Sequence, residues 1–137
     1  MFNINLDIVY KEFNQFPVWQ KAMDFAVGVF QLTETLPPKE DYGLTSQMRR
    51  AALSISNNIA EGFGRNYRND KLSFYYYARG SANETKNQLL YGELVGYFNK
   101  YDMATKIVQI NSIIESLNKL IRTLKNNSGF PQPKSQP

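Results

Sequence analysis

Leu44-Thr45-Ser46-Gln47-Met48-Arg49-Arg50-Ala51-Ala52-Leu53-Ser54-Ile55-Ser56-Asn57-Asn58-Ile59-Ala60-Glu61-Gly62-Phe63 carries two stripes at helical spacing. Leu44, Met48, Ala51, Ile55, Ile59 and Gly62 recur at helical intervals and form an apolar face that requires a core. Beside them run Gln47, Arg50, Ser54, Asn58, Glu61 and, one step further, Arg65, so an ordered polar row borders the apolar one along the whole segment. A surface helix has no need of such a row. It predicts a polar network that is buried or lies at an interface, in a protein defined by packing and binding rather than by chemistry.

The flanking sequence supplies the partners of this helix. Upstream, Pro17 is a good first-turn residue, and Val18, Ala22, Phe25, Val29, Leu32 and Leu36 keep a heptad-like rhythm up to the stop at Pro37-Pro38. Trp19, Met23, Ala26 and Phe30 add a second apolar row, which predicts burial over a wide arc. Downstream, a third helix is predicted from a cap at Asn69 or Asp70 to about Phe98, and a fourth from a cap at Asp102 to about Lys125. The fourth repeats Met103, Ile107, Ile110, Ile114, Leu117, Ile121 and Leu124 in a/d spacing. The short connections at 64–69 and 99–101 make sequential helices antiparallel neighbours. The expected fold is all-α, an antiparallel up-down-up-down four-helix bundle. The expected organisation is an N-terminal arm (1–16), the bundle domain (17–126) and a flexible tail (127–137). In the arm, Phe2, Ile4, Leu6, Ile8 and Tyr10 alternate with Asn3, Asn5, Asp7 and Val9, a pattern that fits a short strand, an apolar arm on a neighbouring subunit, or a disordered end.

Composition removes most catalytic classes. The 137-residue chain has neither cysteine nor histidine, which excludes disulfides, Ser-His and Cys-His catalysis and the usual zinc and di-iron ligand sets. No cofactor, no metal and no enzymatic activity are expected. The N-terminus lacks a signal-peptide pattern, and no apolar run approaches the roughly 20 residues of a membrane span, so the expected location is cytoplasmic, without membrane contact.

The formal net charge of +4 is unevenly distributed: residues 1–43 carry −3, whereas residues 44–80 carry +4. The middle segment is where an anionic partner would dock. Its cations are equally well explained as internal partners or as a solvated face.

The third helix presents three seams. Phe74, Tyr77, Ser81, Glu84, Gln88, Tyr91 and Val95 form one. Tyr75, Ala78, Ala82, Thr85, Leu89, Gly92 and Gly96 form a second, mostly small, which lets another backbone approach. Leu72, Tyr76, Arg79, Asn83, Lys86, Leu90 and Leu94 form the third, with two cations at its centre. One bundle needs one apolar stripe per helix, so three partly apolar seams predict self-association. Close intrachain packing explains the Gly92 to Gly96 spacing better than a dedicated interface motif. An antiparallel hairpin turning near Asn66 places Glu84 opposite Arg49 and Arg50, which predicts a buried ion pair that fixes register. Arg50, Asn58, Glu61 and Glu84 are accordingly expected to form a structural polar network.

The segments Val18-Trp19-Gln20-Lys21-Ala22, Tyr42 to Ala52, Asn58-Ile59-Ala60-Glu61-Gly62 and Ala78-Arg79-Gly80-Ser81 resemble the family called four-helix bundle proteins. That family includes proteins encoded in intervening sequences of 23S ribosomal RNA and accessory variability determinant proteins of diversity-generating retroelements. The resemblance extends from about Val18 to Lys125. It implies a bacterial cytoplasmic protein, a homopentamer, and a role in binding RNA, DNA or a protein partner such as a reverse transcriptase. The chain departs from the family pattern in having Ser56 or Asn57 where a proline is usual, and Ala82 and Thr85 where leucines surround the helix-three glutamate.

The reading that joins these observations is a non-catalytic homo-oligomer that binds nucleic acid through Arg49, Arg65, Arg68, Lys71, Arg79 and Lys86, with Tyr67 and Tyr76 placed to stack. Its alternative is a protein-interaction scaffold or accessory subunit that makes no direct contact with nucleic acid.

Overall fold

The computed structural model describes residues 10–126; the expectations for residues 1–9 and 127–137 fall outside them. A 3-10 turn at Phe13–Gln15 precedes α1 (Pro17–Thr33), and a second at Pro38–Glu40 leads into α2 (Leu44–Phe63). Then come α3 (Arg68–Leu94) and α4 (Lys100–Asn126), with no strand among the described residues. Pro17 opens α1, where its missing N–H would have had no helical acceptor. Thr33 closes it, its hydroxyl donating to the Val29 carbonyl at 2.8 Å.

Three helix ends differ from expectation. α1 stops at Thr33 rather than running up to the prolines, although Leu36 is buried beyond it; a residue preceding proline is pushed out of the helical region. α3 ends at Leu94, short of Phe98, because Gly96 takes φ 87°. The Tyr97 N–H then reaches the Gly92 carbonyl at 2.8 Å and the Gly96 N–H reaches Glu93 at 3.0 Å, which makes a Schellman closure. α4 starts at Lys100 because Asn99, not Asp102, caps it: Asn99 Oδ1 accepts the Asp102 N–H at 2.8 Å. At the start of α3, Tyr67 is the capping residue, in place of Asn69 or Asp70, and makes no side-chain cap bond.

Paired contacts show that neighbours run antiparallel. Between α2 and α3, Lys71 meets Gly62 while Ser81 meets Ser54. Between α3 and α4, Arg79 meets Asn118 while Lys86 meets Asn111. Between α1 and α2, Phe16 meets Phe63 while Thr33 meets Arg49. The ring closes where Lys21 of α1 donates to Ser112 and Ser116 of α4. Each helix packs against its two sequence or closure neighbours, so the bundle is square in section.

The first apolar row of α1 and the apolar face of α2 are buried as their spacing requires, with Phe25, Met48, Ile55 and Ile59 at the centre. The second row of α1 is not, since Trp19, Met23 and Ala26 are half-buried and Phe30 is exposed, so α1 buries a narrower arc than expected. On α4, Ile113 and Leu120 are buried with Met103, Ile110, Leu117, Ile121 and Leu124, whereas the a/d positions Ile107 and Ile114 are only half-buried, so the buried face is turned slightly from the expected stripe. The small-residue seam of α3 is the core face: Tyr75, Ala78, Ala82, Thr85, Leu89 and Gly92 are all buried. Its role is internal because small residues let α2 and α4 come close. A Cβ on Gly62 would lie 2.7 Å from the Tyr75 ring, and one on Gly92 would strike the Phe98 ring. Gly96 is the turn residue, so the Gly92 to Gly96 spacing serves intrachain packing and closure.

Candidate nucleic-acid interface

The six cations expected to contact a polyanion have different environments. Lys71 is buried, 3% exposed, and its ammonium donates to the Phe63 carbonyl at 2.9 Å and to Gly62 at 3.1 Å. It closes the C-terminal end of α2, where carbonyls lack helical donors and the dipole favours a cation. The expectation that Lys71 faces a phosphate is therefore corrected. Arg49 is half-buried: Nε donates to Thr33 Oγ1 at 2.9 Å, Nη2 reaches the Phe30 carbonyl at 3.3 Å, and the guanidinium lies 4.0 Å from the Phe30 ring centroid. It closes α1 in the same manner. Arg65 is exposed, paired with Glu61 at 3.5 Å and placed 4.8 Å from the centre of the Phe74 ring. Arg68 is half-buried at the start of α3.

Arg79 and Lys86 line the groove between α3 and α4. Arg79 Nη1 donates to Asn118 Oδ1 at 3.0 Å, and its guanidinium stacks 5.2 Å from the Tyr76 ring centre. Lys125 approaches the same ring at 5.5 Å. Two turns further along, Lys86 Nζ donates to Asn111 Oδ1 at 2.8 Å. The two cations are seven residues apart on α3, about 10 Å at the helical rise, and their amide acceptors are seven apart on α4. Arg122 and Lys119 stand exposed on α4, the latter paired with Glu115 at 3.4 Å. Each amide oxygen fixes a cation without neutralising it. Arg79 and Lys86 keep further N–H donors for an anion, and Tyr76 offers a ring face.

This arrangement was only half read from the sequence. Arg79 and Lys86 stood out there, whereas Asn111, Asn118 and Lys125 did not. An antiparallel register about the expected 99–101 connection sets 79 level with 121 and 86 level with 114, one turn away from the observed partners Asn118 and Asn111.

The polar row on α2 resolves into a small half-buried network and exposed flanks. Asn58 Nδ2 donates to the Ser54 carbonyl and hydroxyl at 2.9 and 3.0 Å, and Ser81 of α3 donates to the Ser54 hydroxyl at 3.0 Å. The buried Arg50–Glu84 pair does not form. Both residues are exposed, and among the described residues no ion pair joins them. The register is nearly as anticipated, but α3 turns its Ala82 and Thr85 face inward, which sends Glu84 to solvent. Arg49, the other expected partner of Glu84, points toward α1. Glu61 pairs with Arg65 on its own helix flank instead of crossing to another helix.

Among the described residues, no group of His, Cys, Asp and Glu side chains is placed to hold a metal ion, and no helix is long and apolar enough to cross a membrane. The fold has a solved counterpart. A protein of unknown function from the S23 ribosomal protein family of Bacteroides thetaiotaomicron superimposes with a TM-score of 0.71 at 23% identity, over 77% of this chain and 95% of that one. A comparison with curated proteins gave no match. The family model described as 23S rRNA-intervening sequence protein matches residues 14–119, which contain all of α1, α2 and α3 and most of α4. The chain therefore belongs to the 23S rRNA-intervening sequence protein family.

Proposed function

We propose that this protein is a non-catalytic, cytoplasmic homo-oligomer of five chains that binds RNA or DNA along the α3–α4 groove. The observation that carries this reading is the pair of amide-held cations, Arg79 on Asn118 and Lys86 on Asn111, with Tyr76 and Lys125 at one end. Arg65 and Arg68 extend the basic surface near the start of α3, whereas Lys71 and Arg49 serve helix ends. Tyr77, Tyr91 and Val95 lie exposed on the α3 outer row and give a second copy apolar surface to cover. Five copies carry about +20 in formal charge, enough to hold a polyanion that a single chain would hold weakly.

The test is fluorescence anisotropy with labelled RNA and DNA across a salt series. For Arg79→Ala combined with Lys86→Ala, the slope of log affinity against log salt should shrink by about 1.8 for duplex DNA and about 1.4 for single strands. Light scattering should give about five times the 15.8 kDa chain mass for both proteins. Unchanged affinity and slope in the double variant would refute the groove, and a monomer would refute the assembly.

A protein-interaction scaffold, with a partner such as a reverse transcriptase, is the second reading. Leu90, Leu94, Tyr101 and Val108, all exposed where α3 hands over to α4, favour it. Binding of that kind would persist at high salt.

A further inference from the structure

Two apolar patches lie on adjacent faces of the bundle, and neither belongs to the basic groove. On the α1–α2 face, Met23, Ala26, Val27, Phe30, Arg49 and Leu53 line an open hollow of about 200 Å³. Val27, Phe30 and Leu53 remain 50%, 49% and 46% exposed, so the described residues cover only about half of each. On the α2–α3 face runs the outer row of α3, where Tyr77, Tyr91 and Val95 are 61%, 52% and 49% exposed. This row flanks α2, since Ser81 within it donates to Ser54 at 3.0 Å.

We propose that the hollow of one chain receives the outer row of α3 from a second copy. The inference deepens the homo-oligomer reading above and rests on it. Each patch holds one charged side chain, and the two signs are opposite. Arg49 is the charged residue among those lining the hollow, and Glu84 is the charged residue of the row that runs from Phe74 to Val95. Arg49 serves Thr33 and Phe30 through Nε and Nη2, which leaves Nη1 to donate to a carboxylate. Glu84 is exposed, midway between Tyr77 and Tyr91 and about 10 Å from each at the helical rise. Opposite charges also select the arrangement. Hollow against hollow would bring two Arg49 side chains together, and row against row two Glu84 side chains, whereas hollow against row pairs one with the other.

Two different patches make the contact heterologous, and such contacts build a ring where the rotation closes. The two faces share α2 and, in a square section, meet at about 90°, so copies joined head to tail turn back on themselves and close after about four or five. In that ring α2 borders the axis. The α3–α4 groove then lies on the outer wall, open to nucleic acid.

The test breaks each patch separately in the full chain. Val27→Asp puts a carboxylate in the hollow, and Tyr91→Asp puts one in the row; both positions are about half exposed, so each variant should keep wild-type helix content by circular dichroism. At a concentration where the wild type is assembled, light scattering should give either variant alone the 15.8 kDa mass of a single chain. An equimolar mixture of the two should give a dimer and nothing larger, because unlike variants share one intact hollow and one intact row. Glu84→Arg, which faces Arg49 with like charge, should weaken association at least about tenfold at low salt and by less at high salt.

Wild-type mass in both variants would overturn the proposal and leave the homo-oligomer assembled through another surface. Loss of assembly in only one of them would also overturn it, since the other patch then has a different occupant, either the chain's own residues or another protein. Two monomeric variants that stay monomeric when mixed would overturn the head-to-tail contact. A wild type that is itself monomeric would refute the homo-oligomer reading beneath it.

Discussion

Lys71→Met separates the structural and functional readings of a basic residue. The substitution keeps the unbranched stem and deletes the ammonium, which donates to the last carbonyls of α2 at 2.9 and 3.1 Å. Hydrogen bonds from a charged donor contribute about 1.5–3 kcal/mol each, and a cation in a partly buried position at a helix C-terminus adds up to about 2 kcal/mol. Against that sum stands the relief of an ammonium desolvation, since the site is 3% exposed. The expected net loss is about 2–4 kcal/mol. With a urea dependence near 2 kcal/mol per molar for a domain of this size, the midpoint should fall by about 1–2 M. The assay is urea unfolding followed by circular dichroism at fixed protein concentration, because assembly couples stability to concentration. Lys39→Met, on an exposed lysine of the α1–α2 connection, serves as the reference and should stay within about 0.5 kcal/mol. Below the transition, Lys71→Met should bind nucleic acid with the wild-type salt slope. Wild-type stability together with weakened, salt-flattened binding would refute the reasoning and return Lys71 to the surface that meets phosphate.

Gly96→Ala should cost about 1–2 kcal/mol through the backbone alone, since φ is 87° and an added Cβ meets no atom within 4 Å; a calorimetric melt of Gly96→Asn should recover part of the loss. Arg50→Met and Glu84→Leu, singly and together, should each shift stability by less than about 0.5 kcal/mol, and a double-mutant cycle with coupling above about 1 kcal/mol would reinstate the pair. Arg49→Lys should destabilise by about 1–2 kcal/mol in chemical unfolding, because a lysine ammonium lacks the planar fork that serves Thr33 and Phe30 together. A melting curve identical to wild type would show that the fork is dispensable.

Periodicity carried the fold because the core is built from it: every apolar position singled out on α2 is buried, and the first row of α1 is buried through Leu36. It failed on α3, where aromatic and small residues occupy several faces and only packing decides which turns inward. The small seam did, and the buried face extends one step earlier than it was read. Lys71 stands four residues before Tyr75 and so shares its side of the helix, a signal that the lysine's usual preference for solvent obscured. Arg50 and Glu84 show the complementary error. A register argument fixes which residues are level with one another, but it says nothing about whether their side chains converge. The groove cations Arg79 and Lys86 were visible by charge, whereas Asn111 and Asn118 were not, because an exposed asparagine on a helix has many ordinary explanations.

The two cations that close helix ends also impose an order in time. Arg49 lies sixteen residues beyond Thr33, and Lys71 eight residues beyond Phe63. In both cases the group that finishes a helix is synthesised just after it. A nascent chain can complete α1 when the start of α2 emerges, and α2 when the first turn of α3 follows, each across a short loop with a small closure entropy. The long closure comes last, when Lys21 finds Ser112 and Ser116 more than ninety residues away. Loop-closure entropy thus favours an order of folding that runs along the chain and ends at the α1–α4 seam.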